Sequence, residues 1–276
     1  MGEKENEGHL MRDRLIEIVE AQTDPLRRLN IGREYLQEFI LYVNFIKGFN
    51  ENLIFEGDTA LRILHGLKRF SEGLDFSLSK TMDFQLLKDA LITELFLAGY
   101  EIEVAERHRG SLYRLIVKFI DLDELFMLPK GKKLVISLEF DVNPPSGGRI
   151  EKSITGREVL FWVKHYDLPS LFAKKLHAVL FREHVKGRDF YDLLWYLTRK
   201  PPISPNEELF FNAVIQTHPK EYEAVKEMGW KNALKKKLLE VNFARIREDV
   251  APFLENSGEI NLLTKETFLE ILAREV

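Results

Sequence analysis

The sequence predicts an α+β protein whose first half mixes strands with helices and whose second half is helical. Three observations point there. Residues 53–55, 74–78, 112–120 and 134–142 are short apolar or alternating runs of strand length. Asn143-Pro-Pro-Ser-Gly-Gly148 is a breaker that ends this core or turns its edge. From residue 168 onward the apolar residues recur at three and four, as a helix buries them.

The elements follow in order. Leu15, Ile18 and Val19, then Leu36, Phe39, Ile40, Val43 and Ile46, predict two amphipathic helices between residues 9 and 47. Asp24-Pro25 between them supplies an N-cap and a proline in the first turn. A strand at 53–55, a tight turn and a helix from Thr59 come next, then a strand at 74–78 and a helix over 84–98. Strands at 112–120 and 134–142 complete the core, and 159–163 is one more apolar stretch. Helices are expected over 168–182, 188–197 and 207–217, with several between 221 and 276. The domain expectation is residues 1–50 as helices on the core, 51–165 as the core, and 166–276 as a helical domain.

Composition narrows the classes. At 276 residues and 45% hydrophobic content the chain can bury a sizeable core. Forty Lys and Arg against 44 Asp and Glu give a net charge of -4, so nucleic acid must be met by a local patch. The absence of cysteine excludes disulfides and thiolate metal sites and fits a reducing cytoplasm. The charged start lacks a signal peptide's apolar core, no stretch spans a bilayer, and Asn6 stands where myristoylation wants Ser or Thr. No membrane partner is expected.

Four stretches hold the chemistry. In Phe55-Glu-Gly-Asp-Thr-Ala-Leu-Arg62, a glycine between strand and helix lets backbone amides and a helix N-terminus face a phosphate; alone, Gly57 equally reads as an ordinary left-handed turn residue. In Leu74-Asp-Phe-Ser-Leu78, alternation puts Asp75 with Gly73 and Ser77, opposite the apolar residues. In Leu134-Val-Ile-Ser-Leu-Glu-Phe-Asp-Val142, Ser137, Glu139 and Asp141 share the polar face; two adjacent carboxylates repel unless a divalent cation takes their oxygens, or the face is simply solvated. The fourth stretch runs from Asp167 through Lys175, Arg182 and Lys186-Gly-Arg-Asp-Phe-Tyr-Asp192. It places Lys175 and Arg182 seven apart on one helix, and Asp189 and Asp192 three apart on the next. As a bare pattern it is also an interhelical ion-pair network. His177 reads as a packing or hydrogen-bonding residue, since His184 is two turns away.

Together these stretches resemble the AbiEii/AbiGii-type nucleotidyltransferase toxins of the polymerase β-like nucleotidyltransferase superfamily, over roughly residues 53–197. The run 166–197 follows that pattern most closely, and Glu139-Phe-Asp-Val-Asn-Pro-Pro resembles the family's carboxylate strand and proline turn. The resemblance implies a polymerase β-like core, a mixed sheet flanked by helices, with a C-terminal helical domain. It further implies Mg²⁺-dependent transfer of a nucleotide from an NTP to an acceptor, with RNA such as tRNA as the acceptor class, and a cognate antitoxin. By the same resemblance Gly57 approaches the triphosphate and Asp75, Glu139 and Asp141 bind metal, Glu139 being a candidate general base. Thr59, Arg69 and Ser71 are implied nucleotide contacts. Lys175 is implied to contact the triphosphate, Asp189 to form a second site, and Arg182, Arg188 and Asp192 to hold or neighbour it.

Two positions depart from the family pattern. Asp58 replaces the turn's second glycine, and Gly73 replaces the first Asp of Asp-x-Asp. Losing a ligand weakens metal binding, and an added acid beside a triphosphate repels it. Either Asp58 substitutes for the missing carboxylate, or the chain is a catalytically impaired member that acts as a binding module. A purely structural helical protein explains neither the glycine turn nor the carboxylate strand. Trp230-Lys-Asn-Ala-Leu-Lys-Lys-Lys237 with Arg245 and Arg247 reads as a phosphate-binding patch or as a solvated helix face.

Overall fold

The structure, a computed structural model, describes residues 2–274, with side chains from residue 11. The charged first residues and the last two positions of the expected C-terminal helix lie outside the described side chains. Helices α1 (Gly2–Glu20) and α2 (Pro25–Ile46) precede strand β1 (Leu53–Glu56), helix α3 (Gly57–His65), strand β2 (Gly73–Leu78) and helix α4 (Phe84–Leu97). Strands β3 (Ile102–Arg109), β4 (Leu112–Phe119), β5 (Leu134–Asp141), β6 (Ile150–Thr155) and β7 (Phe161–Tyr166) complete the sheet. Helices α5 (Leu168–Phe181), α6 (Gly187–Leu197), α7 (Glu207–Thr217), α8 (Tyr222–Met228), α9 (Trp230–Glu240), α10 (Phe243–Val250) and α11 (Lys265–Arg274) follow. No helix among the described residues is long and apolar enough to cross a membrane.

The chain divides into two compact units. Met1–Leu64, Phe70–Pro144 and Lys152–His165 form one; His65–Arg69, Pro145–Glu151 and Tyr166–Val276 form the other. The first is built on a seven-stranded sheet of order β3-β4-β5-β2-β1-β7-β6. It is mixed: β1 pairs antiparallel with β2 and parallel with β7, β2 pairs parallel with β5, and β4 pairs antiparallel with both β5 and β3. This is the α+β sheet the sequence predicts.

Register sets the core. Phe55, Phe76, Phe140 and Tyr113 are neighbours across β1, β2, β5 and β4. Phe76 stacks on Phe140 at 5.3 Å, and Phe84 of α4 stacks on Tyr113 at 3.9 Å. Each buried aromatic contributes about 1.5–3 kcal/mol by leaving water, and the row fixes which face of the sheet is apolar. The residues one step away along each strand must then share the other face. Asp24 caps α2, its Oδ1 accepting from the Arg27 N–H at 2.7 Å, and Pro25 occupies the first turn, as expected.

β3 and β6 have no strand expectation in the hydropathy pattern. They are the two edges of the sheet. Most of their side chains are exposed, so neither β3 (Ile-Glu-Val-Ala-Glu-Arg-His-Arg) nor β6 carries a sustained apolar alternation.

In the helical unit, Phe172 of α5 stacks on Tyr196 of α6 at 4.4 Å, and Phe190 of α6 meets Phe243 and Phe268, each at 6.4 Å. Helix α5 stops at Phe181, so Arg182 is an extended C-cap residue rather than a continuation of the helical face shared with Lys175.

Candidate functional site

In the sheet unit, the glycine turn is required by two independent constraints. Gly57 has φ +74°, which side chains other than hydrogen disfavour. A Cβ there would also lie 2.9 Å from the Asp75 Cβ and nearer still to its carboxylate. The bare Cα therefore leaves the Asp75 carboxylate against the turn. Asp58, in the first turn of α3, is half-buried and complements the helix dipole. Thr59 is buried, and its hydroxyl donates to the Gly73 carbonyl. Gln37 of α2 donates from Nε2 to the carbonyls of Ser71 and Gly73, at 3.2 Å each. Two side chains thus pin the entry of β2.

The sheet then lines up a row of charges. Glu56 on β1 is opposite Asp75 on β2, Asp75 is opposite Glu139 on β5, Glu139 is opposite Arg114 on β4, and Arg114 is opposite Arg107 on β3. Neighbouring strands are about 4.8 Å apart, so three carboxylates and two arginines occupy one row of one face. Arg114 Nη2 lies 2.7 Å from Glu139 Oε1. Asp141 is two residues along β5, opposite Ser77 and Leu112, on the same face but outside this row.

Gly73 is opposite Ser137, and a Cβ at position 73 would lie 2.7 Å from the Ser137 carbonyl oxygen. Backbone closes the place where the resemblance expects the first Asp. The Oγ of Ser137 is buried and, among the described residues, has no hydrogen-bond partner.

The helical unit holds the second group. Arg69 and Asp192 are fully buried and form a two-pronged pair: Nε to Oδ1 and Nη2 to Oδ2, both 2.6 Å. Lys175 Nζ lies 2.8 Å from both Asp189 Oδ1 and Asp192 Oδ2, and Arg182 Nη1 holds Asp189 Oδ2. Three cations thus surround two carboxylates. Gly187 lets α6 approach α10: a Cβ there would lie 2.9 Å from the Ile246 carbonyl carbon, and its N–H donates to Asp249 at 2.6 Å. The Lys186-Gly-Arg-Asp junction is therefore a close helix crossing. The Arg188 guanidinium lies 4.4 Å over Phe253. His177 bonds Thr217 Oγ1 at 2.8 Å, and burial, with His218, Lys174 and Arg182 nearby, lowers its pKa to about 4, so it is a neutral hydrogen-bonding residue.

Two sets of expected residues are thus brought together, each inside one unit: Gly57, Asp75 and Glu139 on the sheet, and Arg69, Lys175, Arg182, Asp189 and Asp192 among the helices. Ser71 enters through its carbonyl. Glu56, Arg114 and Gln37 escaped the sequence reading. Alternation puts Arg114 on the polar face of its strand, but only register reveals that Glu139 is its neighbour.

JHP933 from Helicobacter pylori is similar in structure at 18% identity, over 87% of this chain and 89% of that one, with a TM-score of 0.46. A second H. pylori protein, provisionally assigned as a nucleotidyltransferase, is 19% identical over 86% and 90% of the two chains, with a TM-score of 0.45. No curated protein matches the chain in sequence. The family model described as nucleotidyl transferase AbiEii toxin, type IV TA system, matches residues 40–274, most of the length. The chain therefore belongs to the AbiEii nucleotidyltransferase toxin family of type IV toxin–antitoxin systems.

Proposed function

We propose that this protein transfers a nucleotide from an NTP to an acceptor hydroxyl on RNA, tRNA being the leading acceptor, in the cytoplasm where both substrates are found. The observation that carries this reading is the in-register pair Asp75 and Glu139 beside the bare Cα of Gly57. Two hard-oxygen carboxylates on neighbouring strands match the donor chemistry of Mg²⁺; Asp75 and Glu139 would hold it, with Asp141 farther along β5. When bound, Mg²⁺ neutralises phosphate charge. The residues themselves divide the remaining work. Gly57 and the start of α3, with Thr59 fixing the β2 entry, offer backbone amides to phosphate. Glu139 accepts the proton of the acceptor hydroxyl as that oxygen attacks the α-phosphorus and pyrophosphate leaves.

On this reading residues 51–165 are the transferase core, residues 1–50 brace it, and 166–276 form the helical domain. Within the helical domain, Lys175 and Arg182 are the phosphate-facing cations and Asp189 orients both. Arg69 is a positioning residue, since its guanidinium is fully buried on Asp192. Membership of a type IV family implies an antitoxin partner.

One observation favours a second reading, an impaired transferase that binds without transferring. Position 73 contributes no ligand, and the Ser137 carbonyl leaves no room for one. Asp58 is the proposed substitute, and Mg²⁺ titration of wild type against Asp58→Ala tests it; equal affinities remove it. The two readings separate when purified protein is incubated with each labelled NTP, Mg²⁺ and total RNA. Label transfer that Asp75→Ala abolishes supports the transferase. No transfer with any nucleotide supports the binding module.

A further inference from the structure

The β3–β4 hairpin presents three arginines on the carboxylate face of the sheet. Arg107 and Arg114 are directly opposite one another, and Arg109 is two residues from Arg107 on the same strand, hence on the same face. Like charges set opposite across strands destabilise a sheet. Nothing in the packing calls for them, because Arg107 and Arg109 are exposed. Among the described residues neither forms a salt bridge or side-chain hydrogen bond. Arg114 reaches Glu139 through Nη2, while its Nε is buried without a hydrogen-bond partner. The opposite face of this hairpin, by contrast, is used: His108 and Tyr113 face each other there, and Tyr113 stacks on Phe84.

We propose that Arg107, Arg109 and Arg114 form the phosphodiester-binding track for the acceptor strand, a proposal that rests on the transferase reading above. Three arguments select that ligand. The guanidinium fork matches phosphate oxygens, and a phosphate between Arg107 and Arg114 relieves their repulsion. Arg107 and Arg109 are about 6.8 Å apart along the strand, a separation that neighbouring phosphates of one polynucleotide strand can span. The glycine turn is at β1, whereas the arginines are on β3 and β4 beyond β2 and β5, so the carboxylates separate the track from the donor's phosphates. One rigid sheet therefore sets an acceptor on one flank of Glu139 and the donor on the other. Recognition is of backbone charge, so it is independent of sequence.

Arg114 has a second consequence. It holds Glu139 at 2.7 Å in the free chain. A phosphate that engages Arg114 competes with Glu139 for it, so acceptor binding frees the carboxylate that the transfer step needs.

The test is binding of a labelled single-stranded oligoribonucleotide to the full chain, followed by anisotropy with neither NTP nor divalent cation present. Its outcome is therefore independent of whether transfer occurs. Arg107→Ala and Arg109→Ala are each expected to weaken binding about tenfold at low salt. Each should also lower the slope of log affinity against log salt by about 0.7. Thermal midpoints should not fall, since both side chains are exposed and Arg107→Ala removes a like-charge pair. Binding of a fluorescent NTP in the presence of Mg²⁺ should match wild type, as should oligoribonucleotide binding by Lys235→Ala/Lys236→Ala/Lys237→Ala on α9. Four results overturn the proposal: no oligoribonucleotide binding by wild type, wild-type binding by the arginine variants, loss confined to the α9 variant, or loss of NTP binding in the arginine variants.

Discussion

The two charged regions of this protein are built on opposite principles. In the helical unit, Arg69, Lys175 and Arg182 enclose Asp189 and Asp192, and the Arg69–Asp192 pair is shut off from solvent. On the sheet, Glu139 and Arg114 remain about one-third exposed, and Arg107 is exposed without a salt-bridge partner among the described residues. A buried ion pair resists change, because removing one member strands the other in a poor solvent. A half-open row of carboxylates exchanges its partners easily. Substitutions at the enclosed Arg69–Asp192 pair should therefore cost stability, and substitutions in the open row should cost ligand binding.

The largest expected effect falls on the buried network. Asp192→Ala leaves Arg69 without its two-pronged partner and removes one of the carboxylates 2.8 Å from Lys175. It should destabilise the protein by about 3–5 kcal/mol, read by urea denaturation. A change below about 1 kcal/mol would erase the distinction between the two regions.

Gly57→Ala comes next and sharpens the comparison by joining a stability effect to a chemical one. The added methyl meets a positive φ and the Asp75 side chain together, so about 2–3 kcal/mol of destabilisation is expected. Transfer activity should be lost even where the protein stays folded, as circular dichroism below the midpoint can check. Gly73→Asp should cost about 1–3 kcal/mol without raising Mg²⁺ affinity, because its Cβ would press on the Ser137 carbonyl. A tighter-binding, equally stable variant would show that position 73 is an open seat after all.

Glu38 of α2 lies between the two regimes. Its side chain is 12% exposed, and it shares Arg157 with the buried Glu34. Burial, opposed by Arg157 and reinforced by Glu34, raises its pKa to about 7 from an ordinary 4.5. The folded state then binds more protons than the unfolded state between those values, so this group subtracts stability as pH rises from about 4.5 to about 7. Glu38→Gln should remove that slope, on the order of 1–3 kcal/mol across the window. Parallel midpoint-against-pH curves for wild type and variant would contradict it.

How much of this was legible beforehand follows from what each feature depends on. Strands β2 and β5 announce themselves because one face of each is continuously apolar, and the same alternation assigns Asp75 and Glu139 to the polar side. Helix caps such as Asp24-Pro25 are local and are read directly. The edge strands are not, since exposed edges need no apolar period. Register is the other limit: Arg114 beside Glu139, and Glu56 beside Asp75, depend on how strands slide against one another. So does the meaning of Gly73. In sequence it is a missing ligand, whereas in the sheet it is the residue that fits against the Ser137 carbonyl.

The most direct test of the central claim, that Asp75 and Glu139 act as one pair, is a double-mutant cycle in Mn²⁺ affinity, read by titration on wild type, Asp75→Asn, Glu139→Gln and the double variant. If the two carboxylates hold the same cation, each single variant loses binding by tenfold or more, and the double loses little beyond either. Wild-type affinity in both single variants, or losses that simply multiply in the double, would contradict the account.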